Sequence, residues 1–208
     1  MPKAVLLSVK PKYCELISSG KKTIEVRKTK PKLEPPFKCY IYCTKDFKPN
    51  TKYGAKLWAG RSKVIGEFLC NEIDKVDVID DEFMTYIQVN QKAPMFVVTR
   101  ETCLKIDELQ KYLDDKTGYG WHISDLKIYD TPKELGEFYI EDKAAIKLCK
   151  HRFRWGQPES VTQHGGWIKG GYSCMKSGEP EWCENCIFKP LTRPPHSWCY
   201  VEEVEKND

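Results

Sequence analysis

No stretch of this chain is apolar for anything near the roughly 20 residues that a bilayer-spanning helix needs, which argues against an integral helical membrane protein. The opening Met1-Pro2-Lys3-Ala4-Val5-Leu6-Leu7 is apolar over too short a span for a secretory signal, so a cytoplasmic location is the expectation. There is no internal repeat and no low-complexity tract, so a repeat array is not expected. No recognisable catalytic signature stands out either, which favours a binding role over an enzymatic one. At 208 residues, with 40% hydrophobic and 31% charged residues, what remains is one soluble globular domain, or one domain with a small appendage.

Cysteine, by contrast, is abundant, with 10 residues. Without an export signal a disulfide scaffold is disfavoured, and clustered cysteines in a reducing compartment bind metal. Cys14, Cys39, Cys43, Cys70 and Cys103 are widely spaced among apolar neighbours and read as small core residues. Charge is unevenly spread. Residues 1–63 hold 16 Lys+Arg against 4 Asp+Glu, a balance of +12, and residues 64–148 hold 10 against 18, a balance of −8. The basic third points to a polyanionic partner.

Local patterns place the elements. Ala4–Ser8 is a short apolar strand. Pro11 suits a first helical position, Tyr13, Leu16 and Ile17 share a face, and Gly20 suits the residue after a helix end. Residues 21–28 alternate, with Ile24 and Val26 facing a core and Thr23, Glu25 and Arg27 forming a charged face. Residues 38–44 alternate as well, with Cys39, Ile41 and Cys43 opposite Tyr40 and Tyr42. Lys63–Cys70 is a third strand in which Gly66-Glu67 marks a bulge or a close backbone approach. Residues 74–100 give mixed signals. Ile106, Leu109, Tyr112 and Leu113 are spaced for a helix, and Trp121–Tyr129 for a strand. Thr131-Pro132-Lys133-Glu134 predicts a capped short helix running to Phe138. Residues 149–190 show no period, and Ser197–Val204 closes the chain as an apolar strand. Short alternating strands interrupted by helices favour an α+β barrel over a parallel βαβ sheet.

Three constellations carry possible chemistry. Glu25 and Arg27 lie two apart on a strand and share a face, with Lys22 able to swing over it. A carboxylate flanked by two cations can accept a base edge and bind phosphate, or do acid–base work if burial shifts the lysine; a surface salt-bridge ladder is the plainer alternative. Trp121-His122-Ile123-Ser124 places Trp121 and Ile123 on one face and His122 and Ser124 on the other. Trp121 either stacks on a base or fills the core, and His122 and Ser124 are candidates to hydrogen-bond a base. Finally, Cys183-Glu184-Asn185-Cys186 is a Cys-x2-Cys knuckle preceded by Cys174, a spacing that clasps zinc. Cys149 is the preferred fourth ligand. Cys199, His151 and His164 are alternatives, and a site closed by four thiolates is structural rather than catalytic.

Four segments in order resemble ASCH domains of the PUA-like superfamily, of the bacterial and phage type. These are Ser8-Val9-Lys10-Pro11 followed by Ser19-Gly20-Lys21-Lys22-Thr23-Ile24-Glu25-Val26-Arg27, then Val64-Ile65-Gly66-Glu67-Phe68, then Gly120–Leu126 with Pro132-Lys133-Glu134-Leu135, and finally Pro194–Glu203. The resemblance implies a PUA-like β-barrel built from residues 1–148 and 191–208, carrying residues 149–190 as a cysteine-rich insertion. It implies a cleft that binds RNA or a modified nucleotide, with Lys10, Lys22, Glu25, Arg27, Trp121, His122 and Ser124 as candidate contacts. One branch of the family resembles amidohydrolases acting on 4-acetylcytidine, and another resembles single-strand ribonucleases. In the amidohydrolase branch Lys22 matches the lysine and Glu67 the later glutamate, while Glu25 stands where the branch has its threonine nucleophile. The enzymatic alternative is therefore a hydrolase of RNA or of a modified nucleoside, with Lys22 and Glu67 as catalytic residues.

Overall fold

The structure, a computed structural model, describes residues 3–45, 61–80, 83–90, 97–114, 116–142, 152–155, 171–174 and 188–202. Strand β1 (Lys3–Val9) leads into helix α1 (Pro11–Ser18), which has proline at its first turn. Gly20, with φ +71, takes the chain out of the helix in a left-handed conformation that suits glycine. Then come β2 (Ile24–Arg27), β3 (Phe37–Cys43), a long β4 (Lys63–Asp80) and β5 (Thr85–Val89). Helices α2 (Val97–Thr102) and α3 (Ile106–Leu113) precede β6 (Gly118–Lys133). A 3-10 turn at Leu135–Glu137, β7 (Tyr139–Glu141), β8 (Arg152–Trp155), β9 (Gly171–Cys174), β10 (Phe188–Pro190) and β11 (Trp198–Glu202) complete the order.

The principal sheet runs β11-β1-β3-β4-β6-β2, with β5 hydrogen-bonded to β4. Only β1 and β3 run parallel, with α1 and β2 in the connection between them; the other pairs in this sheet are antiparallel. This is the sheet-dominated mixture of strands and helices expected, but not a closed barrel. Strands β11 and β2 are the two ends of the sheet, and no ladder joins them among the described residues. Side chains span the seam instead. Trp198 Nε1 donates to Thr29 Oγ1 at 3.0 Å, the Lys32 backbone N–H donates to Tyr200 Oη at 2.7 Å, and Arg27 reaches across to Ser8 and Ser197.

The alternation read from β3 separates two cores. Cys39, Ile41 and Cys43 join Val5, Leu7, Cys14, Ile17, Phe68, Cys70 and Trp121 on one face, and Tyr40 and Tyr42 join Ala4, Leu6, Phe138 and Val201 on the other. Leu109 and Leu113 of α3 cover a third cluster with Val26, Val76, Ile87 and Val89. Four of the five cysteines expected in the core are buried, but Cys103 is only partly so, because it follows α2 in a positive-φ turn (φ 52) beside the Lys21 carbonyl. The expected irregularity at Gly66 is present: the β4–β6 register shifts between Val64 and Gly66, and a Cβ at Gly66 would lie 2.5 Å from the Lys127 carbonyl oxygen. Gly66→Ala should therefore lower stability by about 1–3 kcal/mol, because backbone rather than a movable side chain must yield; the urea midpoint measures it, and an unchanged midpoint would contradict the close approach.

Two local readings are corrected. Residues 131–133 continue β6 rather than capping a helix, with Lys133 opposite Val64. Pro132 is tolerated because β2 pairs β6 only over residues 119–122, so the missing N–H of Pro132 removes no bond to β2. The capping box belongs to Glu134 and Glu137 around the short 3-10 turn. Residues 149–190, which showed no period, contain β8 and β9 as a separate antiparallel pair, and β10, which pairs with β7.

Candidate functional site

Lys22 and strand β2 bring three charges together at one end of α1, and all three are buried. The expected charged face of β2 is thus not a solvent face. Lys22 Nζ donates to the Thr102 carbonyl at 2.6 Å, lies 3.2 Å from Glu25 Oε2, and stands 5.3 Å from the Tyr13 ring centroid. Glu25 Oε1 accepts from Arg27 Nη2 at 2.8 Å. Arg27 also donates from Nη2 to the Ser8 carbonyl at 2.9 Å and from Nη1 to the Ser197 carbonyl at 3.1 Å. One carboxylate therefore compensates two buried cations, and carbonyls at the end of α2, the end of β1 and the approach to β11 accept further hydrogen bonds from them. Removing one member of such a set leaves an uncompensated buried charge.

Two tyrosines and several lysines surround this cluster. Burial first, then Glu108, Glu25 and the neighbouring Tyr112, raise the Tyr13 phenol above its ordinary value. The Tyr112 phenol is raised by burial, with Arg27 opposing and Glu25 adding to the shift. Both rings are thus neutral near pH 7 and sit within electrostatic reach of the buried Glu25. Lys12 lies 5.3 Å from the Tyr13 centroid and 3.6 Å from Glu108, and Lys28 lies 5.6 Å from the Tyr112 centroid. Lys10, Lys12, Lys21, Lys28, Lys30 and Lys32 are all exposed along the borders of α1 and β2.

The structure does not bring the other expected site residues to this cluster. Trp121, directly opposite Glu25 in the β2–β6 register, is fully buried. It packs edge-on against Phe37 at 5.8 Å and tilts against Trp198 at 6.0 Å, so its ring serves the core and is not open to a base. His122 and Ser124 project from the opposite face of β6. His122 Nε2 lies 2.7 Å from Asp74 Oδ2, and Ser124 Oγ donates to the Leu69 carbonyl at 2.9 Å. Glu67 is likewise remote from Lys22. It stands opposite Tyr40 and accepts the Tyr129 hydroxyl at 2.6 Å, and burial together with that carboxylate pushes the Tyr129 phenol well above its ordinary value. What sequence reasoning missed were Tyr13, Tyr112 and Thr102: the tyrosines read as helix-face residues, and Thr102 contributes only a backbone carbonyl.

Cys149, Cys183 and Cys186, with the alternatives His151 and His164, lie outside the described residues. Cys174 ends β9, opposite Arg152 of β8. Among the described residues no group of three or more His, Cys, Asp or Glu side chains is placed to hold a metal ion, and no helix is long and apolar enough to cross a membrane.

A mixed sheet, with a helix after its first strand and a buried Lys–Glu–Arg set where that helix meets the second, defines a small mixed α+β domain. The sequence matches the ASCH domain over residues 7–129, and the chain belongs to that family. A solved ASCH protein from Zymomonas mobilis is 20% identical, with a TM-score of 0.43 over 64% of this chain and 73% of that one. Two single-substitution variants of the Zymomonas mobilis protein align with the same TM-score, at 19% and 20% identity, over 64% of this chain and 77% and 74% of theirs. No curated protein matches the chain.

Proposed function

We propose that this ASCH domain binds RNA or a modified nucleotide along the lysine-rich border of α1 and β2. The observation that carries the reading is the division of labour among the cations. Lys22 and Arg27 are buried and compensated by Glu25, so they act as the rigid support, while the exposed Lys10, Lys12, Lys21, Lys28, Lys30 and Lys32 carry solvent-facing positive charge along the same border. Phosphate contacts position a nucleic acid without reading its sequence, and support from a buried, hydrogen-bonded set keeps such a face in one geometry. Binding is favoured over hydrolysis because the residues read as a catalytic pair, Lys22 and Glu67, engage different partners, Thr102 and Tyr129.

Single-stranded RNA should accordingly bind the full chain, and Lys10→Ala combined with Lys30→Ala should weaken it by a similar factor for every sequence tested. Fluorescence anisotropy with labelled oligonucleotides measures this. Affinity for RNA unaffected by the pair of substitutions would move the ligand to another face.

Residues 149–190 would hold one structural zinc through Cys174, Cys183, Cys186 and Cys149. The supports are the Cys-x2-Cys spacing and the thiolate chemistry of zinc. Elemental analysis of purified protein should give one zinc per chain, lost in Cys183→Ser. Metal-free protein that is fully folded and reduced would return these cysteines to ordinary thiols.

A further inference from the structure

We propose that Tyr112 is a stacking platform for an unpaired nucleobase at the mouth of the Lys22–Glu25–Arg27 cluster, an inference that rests on the nucleic-acid reading above. The neighbours of Tyr112 on α3, Leu109 and Leu113, are buried under the sheet, whereas Tyr112 itself is 38% exposed. Burial raises its phenol above the ordinary value, and Arg27 and Glu25 of the cluster both act on it, which places the ring next to the buried charges. Lys28 Nζ lies over the ring, 5.6 Å from its centroid, which supplies a cation at one face. Tyr13 lies within electrostatic reach of Tyr112 and closes the inner side of the same corner. It is less suited to be the platform, because it is partly buried and both the Lys12 and the Lys22 ammonium groups stand 5.3 Å from its centroid.

The chemistry that fits is a flat π-face with an anionic group attached to it. A neutral aromatic ring beside lysines stacks a base and leaves the phosphate to Lys28 and Lys12. A base inside a duplex cannot offer its face, so the corner selects unpaired nucleotides. Glu108, 3.6 Å from Lys12, tempers the charge where a second phosphate would fall. The ligand is either a nucleotide within a single strand or a free nucleotide, and both present the same base and phosphate.

The test compares wild type with Tyr112→Phe, Tyr112→Leu and Tyr112→Ala. The probes are a labelled oligoadenylate of about ten nucleotides, the same strand paired with its complement, and adenosine monophosphate. Tyr112→Phe should retain affinity for the single strand. Tyr112→Ala and Tyr112→Leu should lose roughly 5- to 150-fold, the range seen when stacking aromatics are removed; Leu keeps apolar bulk, so a loss shared by both reports the π-face rather than a helix defect. The duplex should bind more weakly than the single strand. A Tyr112-dependent affinity for the mononucleotide would identify the free nucleotide as the source, and one confined to the oligonucleotide would identify a strand. If wild type binds the single strand and all three variants match it, the stacking assignment is overturned and the lysine face stands. If wild type binds none of the probes, the nucleic-acid reading falls and takes this inference with it.

Discussion

Replacing Glu25 by alanine should cost about 3–5 kcal/mol of folding stability, the magnitude expected when a buried charge set loses one partner. In a chain of this size that corresponds to a fall in Tm on the order of 10 °C. Glu25 compensates both Lys22 at 3.2 Å and Arg27 at 2.8 Å, and the side chains of all three are at least nine-tenths buried. Neither cation has a second carboxylate within ion-pair distance among the described residues, since their remaining acceptors are the neutral carbonyls of Thr102, Ser8 and Ser197. A surface ladder of the same three residues would cost no more than about 1 kcal/mol on losing its middle member. Thermal and urea unfolding of Glu25→Ala therefore separate a buried support from a solvated ladder, and a loss below 1 kcal/mol would favour the ladder.

Ending the chain at Pro190 should abolish cooperative folding altogether. That truncation removes β11, which pairs with β1 from Lys3↔Glu202 to Leu7↔Trp198. Strand β1 lies beneath both main cores, and β11 contributes Val201 to one and Trp198 to the other. The truncation also deletes Ser197, whose carbonyl accepts from both the Ser8 backbone and Arg27, so the seam loses its bridge at the same time. The emission of Trp121, buried against Trp198, should shift to the red in the truncated chain as its surroundings open to water. A truncated protein that melts cooperatively within a few degrees of the full chain would contradict the placement of β11 in the principal sheet.

Much of this architecture is legible because its signals are local. Pro11 and Gly20 bracket α1, the alternation in β3 separates the cysteine core from the tyrosine core, and Gly66 announces a backbone approach. The readings that failed depend on partners distant in the chain. Glu25 and Arg27 alternate with apolar residues exactly as a solvent face would; what buries them is Ser197, 170 residues beyond Arg27, together with Thr102, 80 residues beyond Lys22. At the start of the mixed segment 74–100, Asp74 takes part in a pair with His122 and Asp80 accepts from Thr85, so polar residues that break the apolar pattern are satisfied within the long β4 and its neighbours. The capping box at Thr131 is a true local signal overruled by strand pairing, since Lys133 is held opposite Val64. The candidate site divides in the same way. The cluster of Lys22, Glu25 and Arg27 could be seen in one short motif, whereas the separation of Glu67, His122 and Ser124 from it follows from which face of the sheet each strand turns outward.

The central claim, that nucleic acid is held by exposed lysines above a buried ionic support, is tested most directly by the salt dependence of single-stranded RNA binding. Each phosphate neutralised on a single strand contributes about −0.7 to the slope of log K against log salt. Wild type should show a steep negative slope, and Lys12→Ala combined with Lys28→Ala should make it shallower by about 1.4, two such contacts. Affinity independent of salt, or a slope unchanged by removing both lysines, would contradict the account.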